Sequence, residues 1–108
     1  MKLVRGIVRE DKMHEIITAL DRIGVPGITV TDVKGRGANP QMATWRGLPY
    51  PVLRSMCAIE VIVTDHAADE VASVMVDAAH TGHQGDGHVF VVTLDNSYAV
   101  RTRWRVVA

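Results

Sequence analysis

The spacing of apolar positions changes repeatedly along the chain, and each change marks a new element. Between residues 3 and 9 mostly β-branched apolar side chains are broken by Arg5 and Arg9, in a run too short for a helix, so a strand is expected. Asp11 then offers an N-cap. Met13, Ile16, Ile17, Leu20 and Ile23 follow at i, i+3, i+4, i+7 and i+10, the stripe of an amphipathic helix that Gly24 closes. Past the Pro26-Gly27 turn, Ile28 to Val33 is rich in Thr, Val and Ile and predicts a second strand. Periodicity then disappears. From about Lys34 to Ser55, Gly35, Gly37, Pro40, Gly47, Pro49 and Pro51 interrupt the chain, and no regular element is expected there. Irregular stretches of such length in an ordered domain are uncommon unless they are functional or disordered, so this loop is the first functional candidate. Cys57 to Val63 predicts a third strand. Thr64 or Asp65 caps a second helix whose Val71, Val74, Met75 and Ala78 form its stripe and which ends at Thr81-Gly82. His88 to Leu94 is nearly continuous in apolar residues and predicts a fourth, buried strand. In the tail Arg101, Arg103 and Arg105 alternate with Thr102, Trp104 and Val106, the pattern of a short edge strand.

The order strand, helix, strand, loop, strand, helix, strand is the ferredoxin-like βαββαβ plan, an α+β fold in one domain over residues 1–108. Its two helices cover one face of the sheet and leave the other open. A domain this small commonly covers such a face by self-association, so an oligomer is expected.

Composition narrows the function. A chain of 108 residues that is 47% hydrophobic suffices for one core and not for two. Twelve Lys+Arg balance twelve Asp+Glu, which leaves no global positive field for nucleic acid. The single cysteine, Cys57, has no internal disulfide partner; it reads as a small buried apolar residue in a reducing compartment. Charges break the first apolar residues, so neither a signal peptide nor a membrane span is expected, and the protein is expected to be cytoplasmic.

The segment Thr81-Gly82-His83-Gln84-Gly85-Asp86-Gly87-His88 carries the clearest chemistry. Two glycines around an Asp let backbone N–H groups converge on an anion, although a plain helix-to-strand connection uses the same residues. His80, His83 and His88 cluster near it. No two of them stand at i, i+4 on one helix and no second cysteine helps, so surface or phosphate-facing histidines are expected rather than a metal site. His88 would make anion binding pH-sensitive near neutrality. No nucleophile–base pair stands out, so no enzyme activity is expected.

Ordered segments through the chain resemble the PII nitrogen-regulatory signal proteins. They are Met1-Lys2-Leu3-Val4 with Ile7, Ala19-Leu20, Ile23-Gly24, Gly27-Ile28-Thr29-Val30-Thr31-Asp32-Val33-Lys34-Gly35, Arg46-Gly47 with Tyr50, Ile59-Glu60-Val61-Ile62-Val63, Thr81-Gly82, Gly85-Asp86-Gly87, Val89-Phe90-Val91 and Val100-Arg101-Thr102. The resemblance implies a homotrimer that binds adenine nucleotides (ATP, ADP or AMP) in clefts between subunits, with magnesium left open. It also implies a signalling loop over about residues 36 to 55 that docks on a membrane transporter or an enzyme of nitrogen or carbon metabolism. Carried over by position, the nucleotide site takes Ile7, Gly27, Ile28, Thr29, Gly35, Gly37, Ile62, Gly85, Asp86, Gly87 and Arg101, with Ala38, Asn39 and His88 at positions where the family places other residues. Ile7 and Ile62 are suited to sandwich an apolar base, and Thr29 to hydrogen-bond its edge.

The departures from the family pattern are specific. Ala38 and Asn39 stand where the family has an arginine and a glutamine, His88 where it has a lysine, and Ala99 where it has the first arginine of an Arg-x-Arg pair. With cationic ligands lost or weakened, either ADP or AMP is expected to compete with ATP or nucleotide binding is expected to be feeble; Arg36, Arg46 and Arg103 are the candidates for compensation. Asn39 and Met56 also replace the family's 2-oxoglutarate ligands, which makes another small anion such as bicarbonate the alternative effector. Tyr50 occupies the place of the family's uridylylated tyrosine, but Pro49 and Pro51 stiffen its flanks. Trp104 reads as a packing residue that could also anchor a partner. A trimeric metal-tolerance protein of the CutA type shares the plan and is the alternative reading.

Overall fold

The computed structural model describes residues 1–106. Alternation in β1 (Lys2–Arg9) sends Val4, Gly6 and Val8 into the core, and alternation in β5 (Arg54–Val63) sends Cys57, Ile59, Val61 and Val63 the same way. Helices α1 (Met13–Arg22) and α2 (Ala68–Ala79) lie on that face and contribute Ile16, Leu20, Val71 and Met75. The sheet order is β2 (Thr29–Gly35), β5, β1, β6 (Gly87–Thr93), with each neighbouring pair antiparallel. This is the ferredoxin-like arrangement. Cys57 is fully buried as a core residue, and burial, followed by the charges of Glu10 and Asp32, pushes its thiol up.

Asp11 does not cap α1, and Thr64 takes the N-cap position of the turn before α2 without a side-chain hydrogen bond. The chain enters each helix through a 3-10 turn, Glu10–Lys12 before α1 and Asp65–Ala67 before α2, so Asp11 and Asp65 lie inside turns. Thr64 flanks its turn in extended conformation, and its carbonyl, not its hydroxyl, accepts the Ala67 N–H at 3.1 Å. The expected close of α1 does form, since Gly24 takes a φ of 77° and donates its N–H to the Asp21 carbonyl.

The segment expected to be irregular holds a hairpin. β3 (Met42–Trp45) and β4 (Leu48–Pro51) pair with each other through Met42 to Pro51, Ala43 to Tyr50, Thr44 to Pro49 and Trp45 to Leu48. Arg46 and Gly47 have φ values of 52° and 79°, the two left-handed residues of a two-residue turn whose twist suits a hairpin. Val52 N–H closes the base on the Gln41 carbonyl at 2.8 Å. This two-stranded sheet is separate from the main one. By register, Ala43, Trp45, Leu48 and Tyr50 share one face, and Trp45 and Leu48 are more than half exposed. The Arg46 guanidinium stacks 4.5 Å from the Trp45 ring centre.

Two further expectations are corrected at the margins of the sheet. β6 is an edge strand flanked by β1 alone, not a buried one: Phe90, Val91 and Val92 are each nearly half exposed, Phe90 and Val92 on the sheet face that the helices leave open. The tail is no strand of the sheet. It reverses on itself, with Tyr98 bridging Arg105, Arg103 N–H on the Ala99 carbonyl at 2.8 Å and Arg103 at a left-handed φ of 64°. Alternation makes a strand only where a sheet edge receives its ladder, and here the two arms of the tail bond to each other.

The face of the sheet opposite the helices carries Leu3, Arg5 and Ile7 of β1, Ala58, Glu60 and Ile62 of β5, and His88, Phe90 and Val92 of β6. Arg5 and Glu60, cross-strand partners, form an ion pair at 2.9 Å. Around that pair Ile62, Phe90 and Val92 stand nearly half exposed, and no third layer covers them among the described residues.

Candidate functional site

The Thr81–His88 connection is held by its own carboxylate. Asp86 accepts hydrogen bonds from Thr81 N–H at 2.8 Å, from Gly82 N–H at 2.9 Å, from the Thr81 hydroxyl, and from Arg9 Nε at 3.0 Å. These donors, the Thr81 hydroxyl foremost, hold the carboxyl well below the usual carboxylate range. Arg9 also donates to the Gln84 carbonyl at 2.8 Å, which ties β1 to the turn. Asp86 thus spends its carboxylate on shaping the loop.

Gly87 has a φ of 96°, and a β-carbon there would fall on the Ile7 carbonyl, well inside the 3.0 Å that real β-carbons keep. Only glycine lets β6 start beside β1 in this way. At Gly85, with φ 98°, a β-carbon would run into the Arg54 guanidinium and lie 3.3 Å from Arg9 Nη2. Two arginines from two different strands therefore converge on the Gly85–Gly87 turn.

The other expected site residues fall into separate groups. Ile7 lies on the open sheet face beside His88, whose ring tilts on Phe90 with centroids 6.1 Å apart. Thr29 and Gly35 are the ends of β2, at the sheet edge opposite β6, and Gly27 and Ile28 lead into it. Gly37, Ala38 and Asn39 follow β2 on the way to the hairpin. Ile62 shares the face of Ile7 but pairs with Leu3, four residues further along the strand, roughly 13 Å away. The two cannot grip one base within a single chain. Arg101 and Arg103 lie in the tail reversal, outside any regular strand. Of the arginines expected to compensate, Arg36 donates to the Gly37 carbonyl and Arg46 lies on Trp45 at the hairpin tip. The residues that do reach the turn, Arg9 and Arg54, were not singled out from sequence. Their charges are visible there, but their convergence depends on a sheet register that sequence does not display. A cavity of about 310 Å³ lies between Ile23, Pro26, Ile62, Glu70 and Val106; Gly27 does not line it. Among the described residues no three His, Cys, Asp or Glu side chains converge as a metal site requires.

Comparison with known proteins decides the family. The family model for nitrogen regulatory protein P-II matches residues 1–104. The chain belongs to the P-II family. It is 44% identical to the nitrogen regulatory protein GlnK2 of Haloferax mediterranei over 94% of this chain and 85% of that protein. It is 39% identical to the nitrogen regulatory protein GlnK of Escherichia coli, covering 94% of this chain and 93% of that one. P-II 2 of Methanothermobacter thermautotrophicus is 36% identical over 94% and 90%. P-II proteins are signalling regulators of nitrogen metabolism, not catalysts, and they act as trimers on partner proteins. Membership sets aside the metal-tolerance alternative. No helix among the described residues is long and apolar enough to cross a membrane.

The P-II turn has a testable acid dependence. The Asp86 carboxyl gives up its proton more readily in the folded chain than in the unfolded one, so its stabilisation is complete above the ordinary carboxylate value near pH ~4. It is lost as pH falls below that value towards the lowered folded one. Asp86→Asn is expected to melt at lower temperature at pH 7 and to show a shallower decline below pH ~4 than the wild type. Parallel acid limbs in thermal melts would mean that the turn does not depend on this charge.

Proposed function

We propose that the chain forms a homotrimer that binds an adenine nucleotide between subunits and signals through residues 36 to 55 to a membrane transporter or a metabolic enzyme. One observation carries this reading: the candidate residues stand at opposite edges of one sheet. Gly27, Thr29 and Gly35 lie on the β2 side and Gly85–His88 on the β6 side, with β5 and β1 between them. At ~4.8 Å per strand spacing, roughly 14 Å separates the two groups, too far for one chain to close around a base and its phosphates. A neighbouring copy supplies the missing wall. The apolar cavity lined by Ile62 and Pro26 suits a base, and the Gly85–Gly87 turn suits a phosphate.

Ala38, Asn39 and His88 put fewer fixed cations on a triphosphate, so ADP or AMP competes with ATP. Asn39 and Met56 likewise favour a small anion such as bicarbonate over 2-oxoglutarate as second effector. Tyr50 is locked opposite Ala43 in the hairpin ladder, so an enzyme modifying it would meet a paired strand and not a free segment. Calorimetry with ATP, ADP and AMP, paired with light scattering, is the test. Affinities within about tenfold of one another and a mass of three chains are expected. ATP more than a hundredfold tighter than both others, or a monomer, would overturn the reading.

A further inference from the structure

We infer that Arg54 is a phosphate ligand of this chain and that it ties the signalling hairpin to the occupancy of the Gly85–Gly87 turn, an inference that rests on the nucleotide reading above. Arg9 and Arg54 crowd the same point: a β-carbon on Gly85 would lie 3.1 Å from Arg54 Cζ and 3.3 Å from Arg9 Nη2. Their charges are not balanced. Arg9 is satisfied by Asp86 and by the Gln84 carbonyl. Arg54 has no hydrogen-bonded or ionic partner among the described residues, and Asp86 is already engaged with Thr81, Gly82 and Arg9. A second guanidinium held beside a neutralised Arg9–Asp86 pair is a surplus positive charge over a turn of small residues. An anion relieves the repulsion and takes charge-assisted hydrogen bonds from Arg54.

The position of Arg54 in the chain adds the coupling. It is the first residue of β5, the strand that receives the chain from the hairpin, and its ladder partner is Gly35, the last residue of β2, from which the chain leaves for the hairpin. A phosphate gripped by Arg54 therefore pins both ends of the segment carrying β3 and β4. Arg54 thus supplies a cation that Ala38 and His88 do not, and it does so from the loop itself.

The experiment measures binding of ADP, pyrophosphate and adenosine by calorimetry to the wild type, Arg54→Met and Arg54→Lys. Amide hydrogen exchange over residues 42–51 is followed with and without ADP. Arg54→Met is expected to weaken ADP and pyrophosphate by about ten- to a hundredfold and to leave adenosine unchanged, with Arg54→Lys in between. ADP should slow exchange in the wild-type hairpin and not in Arg54→Met. Arg54 is exposed, so circular dichroism should show both variants folded. Equal ADP and pyrophosphate binding by wild type and Arg54→Met overturns the inference and leaves the nucleotide reading intact. Pyrophosphate binding that depends on Arg54, without any ADP binding, keeps Arg54 as an anion ligand and removes the adenine nucleotide. A wild type that binds neither overturns both.

Discussion

Gly87→Ala is expected to cost about 3 kcal/mol, the largest loss expected of any glycine-to-alanine change in this chain. Two effects add. The residue sits at a φ of 96°, where an L side chain is strained, and its β-carbon would overlap the Ile7 carbonyl, a backbone atom that cannot swing aside as a flexible side chain does. Relief requires β6 to move off β1 at its first residue. Against a total stability of about 5–15 kcal/mol, such a loss lowers the melting temperature by roughly 15 °C at fixed protein concentration. Gly37→Ala is the control, because no atom lies within 4 Å of its β-carbon position and its φ is not left-handed. That variant is expected to melt within ~2 °C of the wild type, since a surface change free of such features stays within about 0.5 kcal/mol. Equal melting of the two variants would refute the close approach of β6 to Ile7.

The second large effect concerns assembly. Phe90→Asp places a charge on the open sheet face between His88 and Val92 and across from Arg5. If the trimer covers this face, a second carboxylate that must share Arg5 with Glu60 is desolvated in each of its interfaces, at a cost of several kcal/mol per ion. The expected outcome is a shift of the scattering mass from three chains to one at micromolar concentration. Helix content should persist, because Phe90 lies away from the core of Ile16, Leu20, Ile59 and Met75. Trimers that survive the substitution would place the assembly surface elsewhere.

The core was legible because it is periodic. The stripe from Met13 to Leu20 and the alternation from Cys57 to Val63 each report which side faces inwards, and burial follows them. The misreadings share a cause, namely that period alone does not say what lies beside an element. His88 to Leu94 has the composition of a central strand, and only the sheet order shows that it is an edge. The tail alternates like a strand but has no ladder to join. The hairpin was hidden by Pro49 and Pro51, which read as breakers. Pro is nevertheless tolerated where a strand has a free edge, and β4 has one neighbour only. Arg46-Gly47 between Trp45 and Leu48 was the signal available: two residues ending in glycine, flanked by apolar positions. For the site, the Gly85-Asp86-Gly87 turn was visible as a turn. The inward commitment of its carboxylate and the approach of Arg54 were not, because both depend on residues far apart in sequence brought together by the register of β1, β5 and β6.

The separation of β3 and β4 from the main sheet has a consequence for how such a protein diverges. Side chains on the hairpin support only each other, so they are free to drift under selection from whatever they touch, while the βαββαβ body is held by its packing. Ten residues, Met42 to Pro51, can thus be rewritten with the βαββαβ body behind them left as inherited.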